Sequence, residues 1–213
     1  MDLHIDTLYL ELDYSQYARL QYIPNLHEYK TNYFIRNFKH KTNTIKSYTF
    51  EYSIQYFKLD GYWFKVSCYK LGRYRLELIG LHQYHKDNTL KDNTMLKSLY
   101  PIIKHSNIIR LDLCKDSRAK PHQKKLITSK TKYCGTTLYH NLYSKNYFSS
   151  YVYDKQAKNK LELPIWRTEY SFKRILQNSN KWRYQFRHIS KLVRNCERFI
   201  DKLEDRAEKI RAK

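Results

Sequence analysis

Hydrophobic and polar residues alternate in several short segments of the chain, and this alternation predicts β-strands. The first segment alternates only in part, but we expect it to enter the fold as a strand. Leu71 and Gly72 suit a turn between the second and third segments. The predicted strands are residues 4–13, 62–69, 73–79, 108–114, 149–154 and 165–172.

Two further segments repeat their apolar residues at three- and four-residue intervals, which is the spacing of an amphipathic helix. Residues 89–105 have this spacing, but Pro101 disfavours one uninterrupted helix there. From Trp182 to Ile210 the pattern is longer, and the opposite face is basic. Residues 14–46 interleave aromatic and basic side chains, and no element is assigned to them.

These elements predict an α+β fold: a central, mainly antiparallel sheet with helices on one face, plus a C-terminal amphipathic helix. The chain has only four glycines and four prolines among 213 residues, so we expect no flexible linker to divide it. The predicted division is a main domain over residues 1–178 and the basic helix over residues 179–213. Packing against the domain is the favoured role of this helix. The alternatives are a dimer contact or a nucleic acid contact.

The chain is strongly basic, with 41 Lys and Arg against 20 Asp and Glu and a net charge of +21. Such an excess attracts polyanions through salt-dependent forces that do not depend on sequence. Because the basic charge runs the whole length of the chain, it favours a nucleic acid over a membrane surface. No apolar run approaches the roughly 18–20 residues that cross a bilayer. A ribosome-associated protein is the alternative class.

The four cysteines are widely scattered and include no C-x-x-C pair, so neither a disulfide framework nor a zinc site is expected. No secretory leader precedes the first predicted strand, and the reducing cytoplasm is the expected location. Tyrosine occurs 22 times. We attribute most of these tyrosines to compositional bias, so a single tyrosine has little meaning without its neighbours.

Three predicted strands each carry an arginine and a carboxylate two residues apart, and residues at that spacing share a strand face. The pairs are Arg75 with Glu77, Arg110 with Asp112, and Arg167 with Glu169. In the second of these strands, Ile109, Leu111 and Leu113 would form the core face. If the strands are neighbours, the carboxylates converge into an oxygen site suited to Mg²⁺ or Mn²⁺. Cross-strand ion pairing on a solvated face is the alternative, and spacing alone favours it.

Tyr153 ends a predicted strand and is followed by Asp154 and Lys155. A phenol has a pKa of about 10 and becomes a useful nucleophile only when a base, a cation or a metal helps to remove its proton. Lys155 and a nearby divalent ion are the groups that would do so here. The same cations would neutralise charge on a phosphate under attack.

Taken together, these blocks resemble the Rep_trans family of rolling-circle replication initiators, which also includes relaxases of conjugative elements. The family pattern is R-x-D-L-A-x-D, then Y-x-G, then an aliphatic residue with Y-[ND]-K, then W-R-x-E. The corresponding residues here are 110–116, 133–135, 152–155 and 166–169, preceded by 5–8 and 75–78 as the family's first and R-[IL]-E strands. The order is the same, and the resemblance covers roughly residues 4–175.

The resemblance implies a site-specific DNA nickase and ligase in the main domain. Tyr153 would attack a phosphodiester, form a 5′-phosphotyrosyl link and leave a 3′-hydroxyl for the polymerase. The implied metal ligands, for Mg²⁺ or Mn²⁺, are Asp112 and Glu169, with Asp116 and Glu77 behind them. The implied phosphate contacts are Arg110, Lys155 and Arg167. The His-hydrophobic-His motif of other rolling-circle initiators is absent, and His82 and His85 are expected to be surface or packing residues.

Two departures from the family pattern leave alternatives open. The segment between Gly135 and Tyr153 is long and rich in tyrosine, so Tyr151, on the same strand face, is the rival nucleophile. The chain beyond Glu169 is short, which places origin-specific binding in question.

The implied partner is DNA at a replication or transfer origin, single-stranded or supercoiled. A host helicase and a second copy of the chain are further possible partners, and no membrane partner is expected. The setting would be the cytoplasm of a prokaryotic cell, with the gene on a plasmid or phage. A relaxase of the same chemistry and a non-catalytic DNA- or RNA-binding protein are the alternative functions.

Overall fold

A computed structural model describes residues 3–39, 47–70, 72–84, 93–120, 132–134, 137–140, 148–160, 162–173 and 184–211. Ten strands in these residues form one sheet. They are β1 (His4–Asp13), β2 (His27–Lys39), β3 (Ser47–Leu59), β4 (Tyr62–Lys70), β5 (Arg73–Ile79), β6 (Asn107–Ser117), β7 (Lys132–Cys134), β8 (Thr137–His140), β9 (Phe148–Asp154) and β10 (Trp166–Phe172). Every pairing among these described strands is antiparallel, in the order β2-β3-β4-β5-β1-β6-β10-β9-β8-β7.

Helices cover one face of this sheet, and the predicted α+β fold with its C-terminal helix is confirmed. The helices are α1 (Tyr14–Leu20), α2 (Leu81–Tyr84), α3 (Thr94–Ile103), α4 (Lys155–Asn159) and α5 (Ile189–Arg211), with a 3₁₀ turn at Phe186–His188 before α5. Leu8, Leu10 and Leu12 of β1 are fully buried in a core that also contains residues of α1, α3 and α5. Because strand side chains alternate, the residues between these leucines point to the opposite face of the sheet.

Helix α5 packs into the same core as the sheet. Leu192, Cys196 and Ile200 are buried at helical spacing on one side of α5. Phe199 lies against two aromatic rings of the sheet, with its ring centroid 5.4 Å from that of Phe148. The helix begins later than the predicted residue 182, which lies outside the described residues.

An extra residue interrupts the pairing of β1 with β6. Ile5 lies opposite Leu113, but Thr7 lies opposite Asp112, so Asp6 has no counterpart in β6. This is the arrangement of a β-bulge. The bulge lets Asp6 reach the face opposite the helices, while Ile5 still packs against the core.

A second bulge in β6 corrects one sequence expectation. Tyr9 lies opposite Arg110 and Leu10 lies opposite Ile108, so Ile109 is the extra residue. Strict alternation placed Ile109 on the core face. Of the neighbours Ile108 and Ile109, however, the buried one is Ile108, which is 1% exposed. The extra residue resets the alternation, and a period-two pattern does not reveal where this occurs.

Residues 14–46, to which the sequence assigned no element, contain α1 and the whole of β2. Strand β2 pairs with β3 along almost its whole length. Its residues 27–30 are solvent-exposed, as are Tyr33 and Phe34. Residues 27–34, the part of β2 whose side chains are described, include no buried residue, so this part lacks the hydrophobic alternation that predicts a strand.

Residues 89–92 of the predicted helical segment lie outside the described residues, and the rest of it forms α3, which runs through Pro101 without the expected interruption. Asn93 caps the helix by accepting a hydrogen bond of 2.9 Å from the backbone N–H of Leu96. Pro101 lies in the last turn of α3. Because proline has no N–H, the carbonyl of Lys97 lacks its usual helical donor, and Lys97 is exposed to solvent. Among the described residues, no helix is both long enough and apolar enough to cross a membrane.

Replacing Leu192 by Ala tests whether α5 is held on the core. We expect the free energy of unfolding to fall by about 2–5 kcal/mol, because the substitution opens a cavity at a fully buried position. Lys191→Ala, at the exposed neighbouring position, should change it by less than about 0.5 kcal/mol. Urea denaturation followed by circular dichroism gives both values. Equal stability of the two variants would mean that α5 is not part of the cooperative unit.

Candidate active site

The three sequence blocks with candidate chemistry lie on the neighbouring strands β6, β10 and β9. Strand β10 pairs with β6 on one side and with β9 on the other, and its Arg167 lies opposite Asp116 of β6 and opposite Tyr153 of β9. Two residues further along β10, Glu169 lies opposite Tyr151. All these side chains point to the face opposite the helices. The sheet therefore collects them into one cluster.

Two tyrosines share the carboxylate of Glu169. The Tyr153 hydroxyl donates to Glu169 Oε1 at 2.8 Å, and the Tyr151 hydroxyl donates to Glu169 Oε2. Burial, together with the negative charges of Asp6 and Asp112, raises the pKa of Glu169. Burial and the charge of Glu169 raise the pKa of both tyrosines. Both phenols therefore keep their protons in this arrangement, and Glu169 is the group placed to receive them.

Arg167 joins two carboxylates from different strands. Its side chain is fully buried, and Nη1 donates to Asp6 Oδ1 at 2.7 Å. Nε and Nη2 donate to the two oxygens of Asp116 at 2.7 and 2.9 Å. Lys155 and His82 also approach Asp116 Oδ2, at 3.1 and 3.6 Å. Partial burial would raise the pKa of Asp116, but the hydrogen bonds from Arg167 and His82 hold it well below its usual range.

Asp6 belongs to this cluster, although sequence reasoning did not select it. Its side chain is 7% exposed, and burial raises its pKa despite the neighbouring Arg167. Asp112 also raises the pKa of Asp6 through like charge. The available signal was the pair of consecutive polar residues Asp6 and Thr7, which breaks the alternation of polar and apolar residues in this strand.

Asp112 is held by two partners on its own face of the sheet. Arg110 binds it through Nε, at 3.0 Å from each oxygen, and through Nη2 at 2.5 Å from Oδ2. Ser171 donates to Oδ1 at 2.6 Å. The Arg110 guanidinium also lies over the ring of Tyr9, 4.9 Å from its centroid. The Arg110–Asp112 pair predicted from spacing thus forms within one strand.

Glu77 lies apart from these groups. It pairs with Lys65 at 2.8 Å and with Arg75 at 2.7 Å. Strand β5 is separated from β10 by β1 and β6, so Glu77 and Glu169 are about 14 Å apart across the sheet. The structure therefore does not bring Glu77 together with the other predicted metal ligands.

Lys158, in the short helix α4, contacts the ring of the candidate nucleophile. Its Nζ lies 4.5 Å from the centroid of Tyr153, whose side chain is only 4% exposed. Helix α4 begins directly after β9, capped by Asp154, which accepts a hydrogen bond from the N–H of Ala157. Sequence reasoning considered Lys155 but not Lys158, because the turn that brings Lys158 back over Tyr153 is a tertiary feature.

The carboxylates are suitable donors for a divalent ion, but their oxygens are already bound by neighbouring side chains. Asp6, Asp112 and Glu169 are near enough for their charges to raise the pKa of Glu169. Carboxylate oxygen is the donor that Mg²⁺ and Mn²⁺ prefer. Within the described ranges, however, no three His, Cys, Asp or Glu side chains are grouped to hold an ion. Both oxygens of Asp112 are bound by Arg110, so an ion would have to displace that guanidinium.

Several residues discussed from the sequence have other surroundings or lie outside the described residues. His82 stacks on His4, with ring centroids 4.1 Å apart, and it approaches Asp116 rather than facing solvent alone. His85 and Gly135 lie outside the described residues, and the side chains of Tyr133 and Cys134 are not described either.

Comparison with known proteins gives one structural likeness. No protein-family model matches the chain, and no curated protein sequence matches it either. Among solved structures, the chain is similar to a rolling circle replication initiator protein from Geobacillus stearothermophilus. The TM-score is 0.43 at 16% sequence identity, over 81% of this chain and 75% of the other.

Removing the Arg167 guanidinium tests the central ion cluster. Arg167→Ala leaves two carboxylates near each other without their shared cation, and we expect the free energy of unfolding to fall by about 3–5 kcal/mol. The control is Arg73→Ala, which removes the 2.8 Å surface pair with Glu11, a pair worth at most about 1 kcal/mol. Urea denaturation compares the two variants. A loss as small as that of the control would show that Arg167 does not hold the strands together.

Proposed function

We propose that this chain is a rolling-circle replication initiator that nicks one DNA strand at an origin and rejoins it, with Tyr153 as the nucleophile. The observation that carries the proposal is the 2.8 Å hydrogen bond from the Tyr153 hydroxyl to the buried Glu169. It joins the candidate nucleophile to a carboxylate from a separate sequence motif. The order of motifs along the chain is the second support.

In the proposed reaction, Tyr153 Oη attacks a phosphodiester phosphorus as its proton passes to Glu169 Oε1. The bond from phosphorus to the 3′ oxygen breaks, and that oxygen takes up a proton from solvent. The products are a 5′-phosphotyrosyl link and a free 3′-hydroxyl. The raised pKa of Glu169 makes it a stronger base than an ordinary carboxylate. Attack by a 3′-hydroxyl on the same link reverses the step and rejoins the strand.

The scissile phosphate would approach past Lys158. Because Tyr153 is 4% exposed and Lys158 lies over its ring, the ammonium must move aside before a phosphate can reach the hydroxyl. Lys158 is exposed, so it can follow the phosphate and neutralise its charge. Arg110 and Lys155, which are bound to carboxylates here, are the further cations that could turn towards the phosphate.

The cofactor we propose for this reaction is Mg²⁺ or Mn²⁺. Asp112 and Asp6 would hold the ion next to Glu169, and it would supply positive charge beside the phosphate under attack. Arg110 would then release Asp112 and become available to DNA. The same chemistry would serve at a transfer origin, where only the DNA partner differs.

Trapping a covalent adduct tests the nucleophile. Supercoiled DNA that carries candidate origins is incubated with protein and Mn²⁺, and adducts on 5′ ends are resolved on a denaturing gel. We expect Tyr153→Phe to abolish the adduct, because the ring is kept and only the attacking oxygen is lost. Tyr151→Phe is the matched control, since it removes the other hydroxyl bound to Glu169 and should leave the adduct in place.

The remaining outcomes of this experiment have distinct meanings. Loss of the adduct only in Tyr151→Phe would move the nucleophile to the neighbouring tyrosine. Salt-sensitive DNA binding by the wild-type protein without any adduct or nick would reject the enzyme and leave a non-catalytic DNA-binding protein.

Metal dependence is tested with the same assay. EDTA should abolish the adduct and excess Mn²⁺ should restore it. Asp112→Asn should raise the Mn²⁺ concentration for half-maximal adduct by at least about tenfold, since it weakens one of the proposed ligands. Asp205→Asn, at an exposed acidic position of α5, is the control and should change nothing. Mn²⁺ binding measured by electron paramagnetic resonance gives a second readout, and full adduct formation in EDTA would contradict the proposal.

A further inference from the structure

A pocket of about 580 Å³ lies on the same sheet face as the tyrosine pair, several strands away. Its volume lies within the roughly 300–1,000 Å³ range of small-ligand pockets. It is lined by Tyr56, Gly61, Tyr62, Trp63, Phe64, Lys65, Glu77 and Ile79. Tyr56 lies opposite Lys65 across β3 and β4, and Lys65 lies opposite Glu77 of β5. The pocket therefore spans three neighbouring strands.

The pocket presents an aromatic surface that the fold leaves uncovered. Trp63 is 50% exposed, although an indole ring stabilises a protein most when it is buried. Tyr29 of β2, which is 72% exposed, meets the Trp63 ring edge-on, with centroids 4.9 Å apart. This contact fixes the orientation of the indole. Ile79, 46% exposed, adds apolar surface at the β5 side of the pocket.

Lysines surround this aromatic surface, and one carboxylate, Glu77, lines the pocket in an ion pair with Lys65. Lys58 Nζ lies 5.4 Å from the Trp63 ring centroid. Lys65 lines the pocket, and the exposed Lys30 lies opposite Tyr56 in the β2–β3 pairing. An exposed aromatic ring between lysines is typical of sites that stack unpaired bases while binding the adjoining phosphates.

The pocket and the tyrosine pair lie on one continuous surface. In the sheet order, β4 and β9 are separated by β5, β1, β6 and β10, so Trp63 and Tyr153 are about 24 Å apart across the strands. Arg75, Tyr9 and Arg110 lie on the intervening strands of this face, and the two guanidinium groups are packed near the Tyr9 ring. A single strand of DNA of several nucleotides can cross this surface with cations below its phosphates.

We infer that the pocket at Trp63 binds an unpaired nucleobase of the DNA strand whose phosphate lies at Tyr153, by stacking on the indole ring. The inference rests on the proposed function, because the position of the scissile phosphate on the protein is defined by the proposed nucleophile, Tyr153. Base stacking does not depend on sequence, because every base has an aromatic face. The site therefore holds melted DNA in place and leaves duplex DNA unbound at this position.

The test compares single-stranded and duplex DNA in a binding assay that needs no cleavage. Labelled 20-nucleotide oligothymidine and a duplex of the same length are titrated with protein at fixed salt, and binding is followed by fluorescence anisotropy. All variants carry Tyr153→Phe so that no adduct forms. Trp63→Ala should weaken single-strand binding by about 5- to 150-fold, corresponding to the roughly 1–3 kcal/mol of one stacked base. Trp63→Phe, which keeps an aromatic face, should restore most of this loss.

Two controls separate stacking from general effects. Tyr22→Ala removes an aromatic ring that is 82% exposed in the turn after α1, and it should leave binding unchanged. Trp63→Leu keeps an apolar side chain but no aromatic face, so it should lose single-strand affinity as Trp63→Ala does. It replaces the alanine variant in the comparison if that variant does not fold. Duplex binding should change less than twofold in every variant.

The results also distinguish failure of this inference from failure of the proposed function. Equal single-strand affinity in Trp63→Leu and the Tyr153→Phe parent would overturn the inference, as would an equal loss on duplex DNA. If the Trp63 variants lose single-strand affinity while the wild-type protein forms no covalent adduct, the base site stands and the nickase proposal fails. If the adduct forms and the Trp63 variants bind normally, the nickase stands and the base site fails.

Discussion

The buried guanidinium of Arg167 is the interaction on which the arrangement of the site depends. It binds Asp6 from one strand and Asp116 from another, while its own strand carries Glu169 two residues further on. Without a cation between them, two buried carboxylates would repel each other, and one of them would be neutralised. The charge of Arg167 therefore holds β1, β6 and β10 together on the polar face, and the pairing of β10 with β9 places Glu169 beside Tyr151 and Tyr153.

The division of the sheet into two faces organises the rest of the molecule. One face carries the leucines and the helices, and it supplies the stability. Among the described residues, the helices that reach the other face, along β4, β5, β1, β6, β10 and β9, are the short α2 and α4, through His82 and Lys158. Charged and aromatic side chains line this face. Ion pairs on this face, such as Arg110 with Asp112, keep the cations ordered until another anion competes for them.

The sequence predicted the strands with one buried face and the long C-terminal helix, because their apolar residues recur at a fixed period. It also placed Arg110 with Asp112 on one strand face, since that depends only on local geometry. It did not predict that Arg167 turns away from Glu169 towards Asp6 and Asp116, because the strand order decides which carboxylate is nearest. Strand β2 was not predicted because residues 27–30, 33 and 34 are exposed and give no hydrophobic alternation, and β3 was not predicted although Phe57 and Leu59 at its end are buried.

Because of the bulge, Asp6 contributes to the charge cluster without taking a place in the core-facing alternation of β1. Ile5 and Leu8 both pack on the core side although they are three positions apart, because Asp6 is additional to the alternation. A chain that lacked this one residue would keep the same core side chains and the same partners in β6. It would lose the carboxylate at Arg167 and, with it, the ion pair between β1 and β10 on the polar face. Loss or gain of a single codon could therefore remove or install part of the reactive centre during evolution while the scaffold persists.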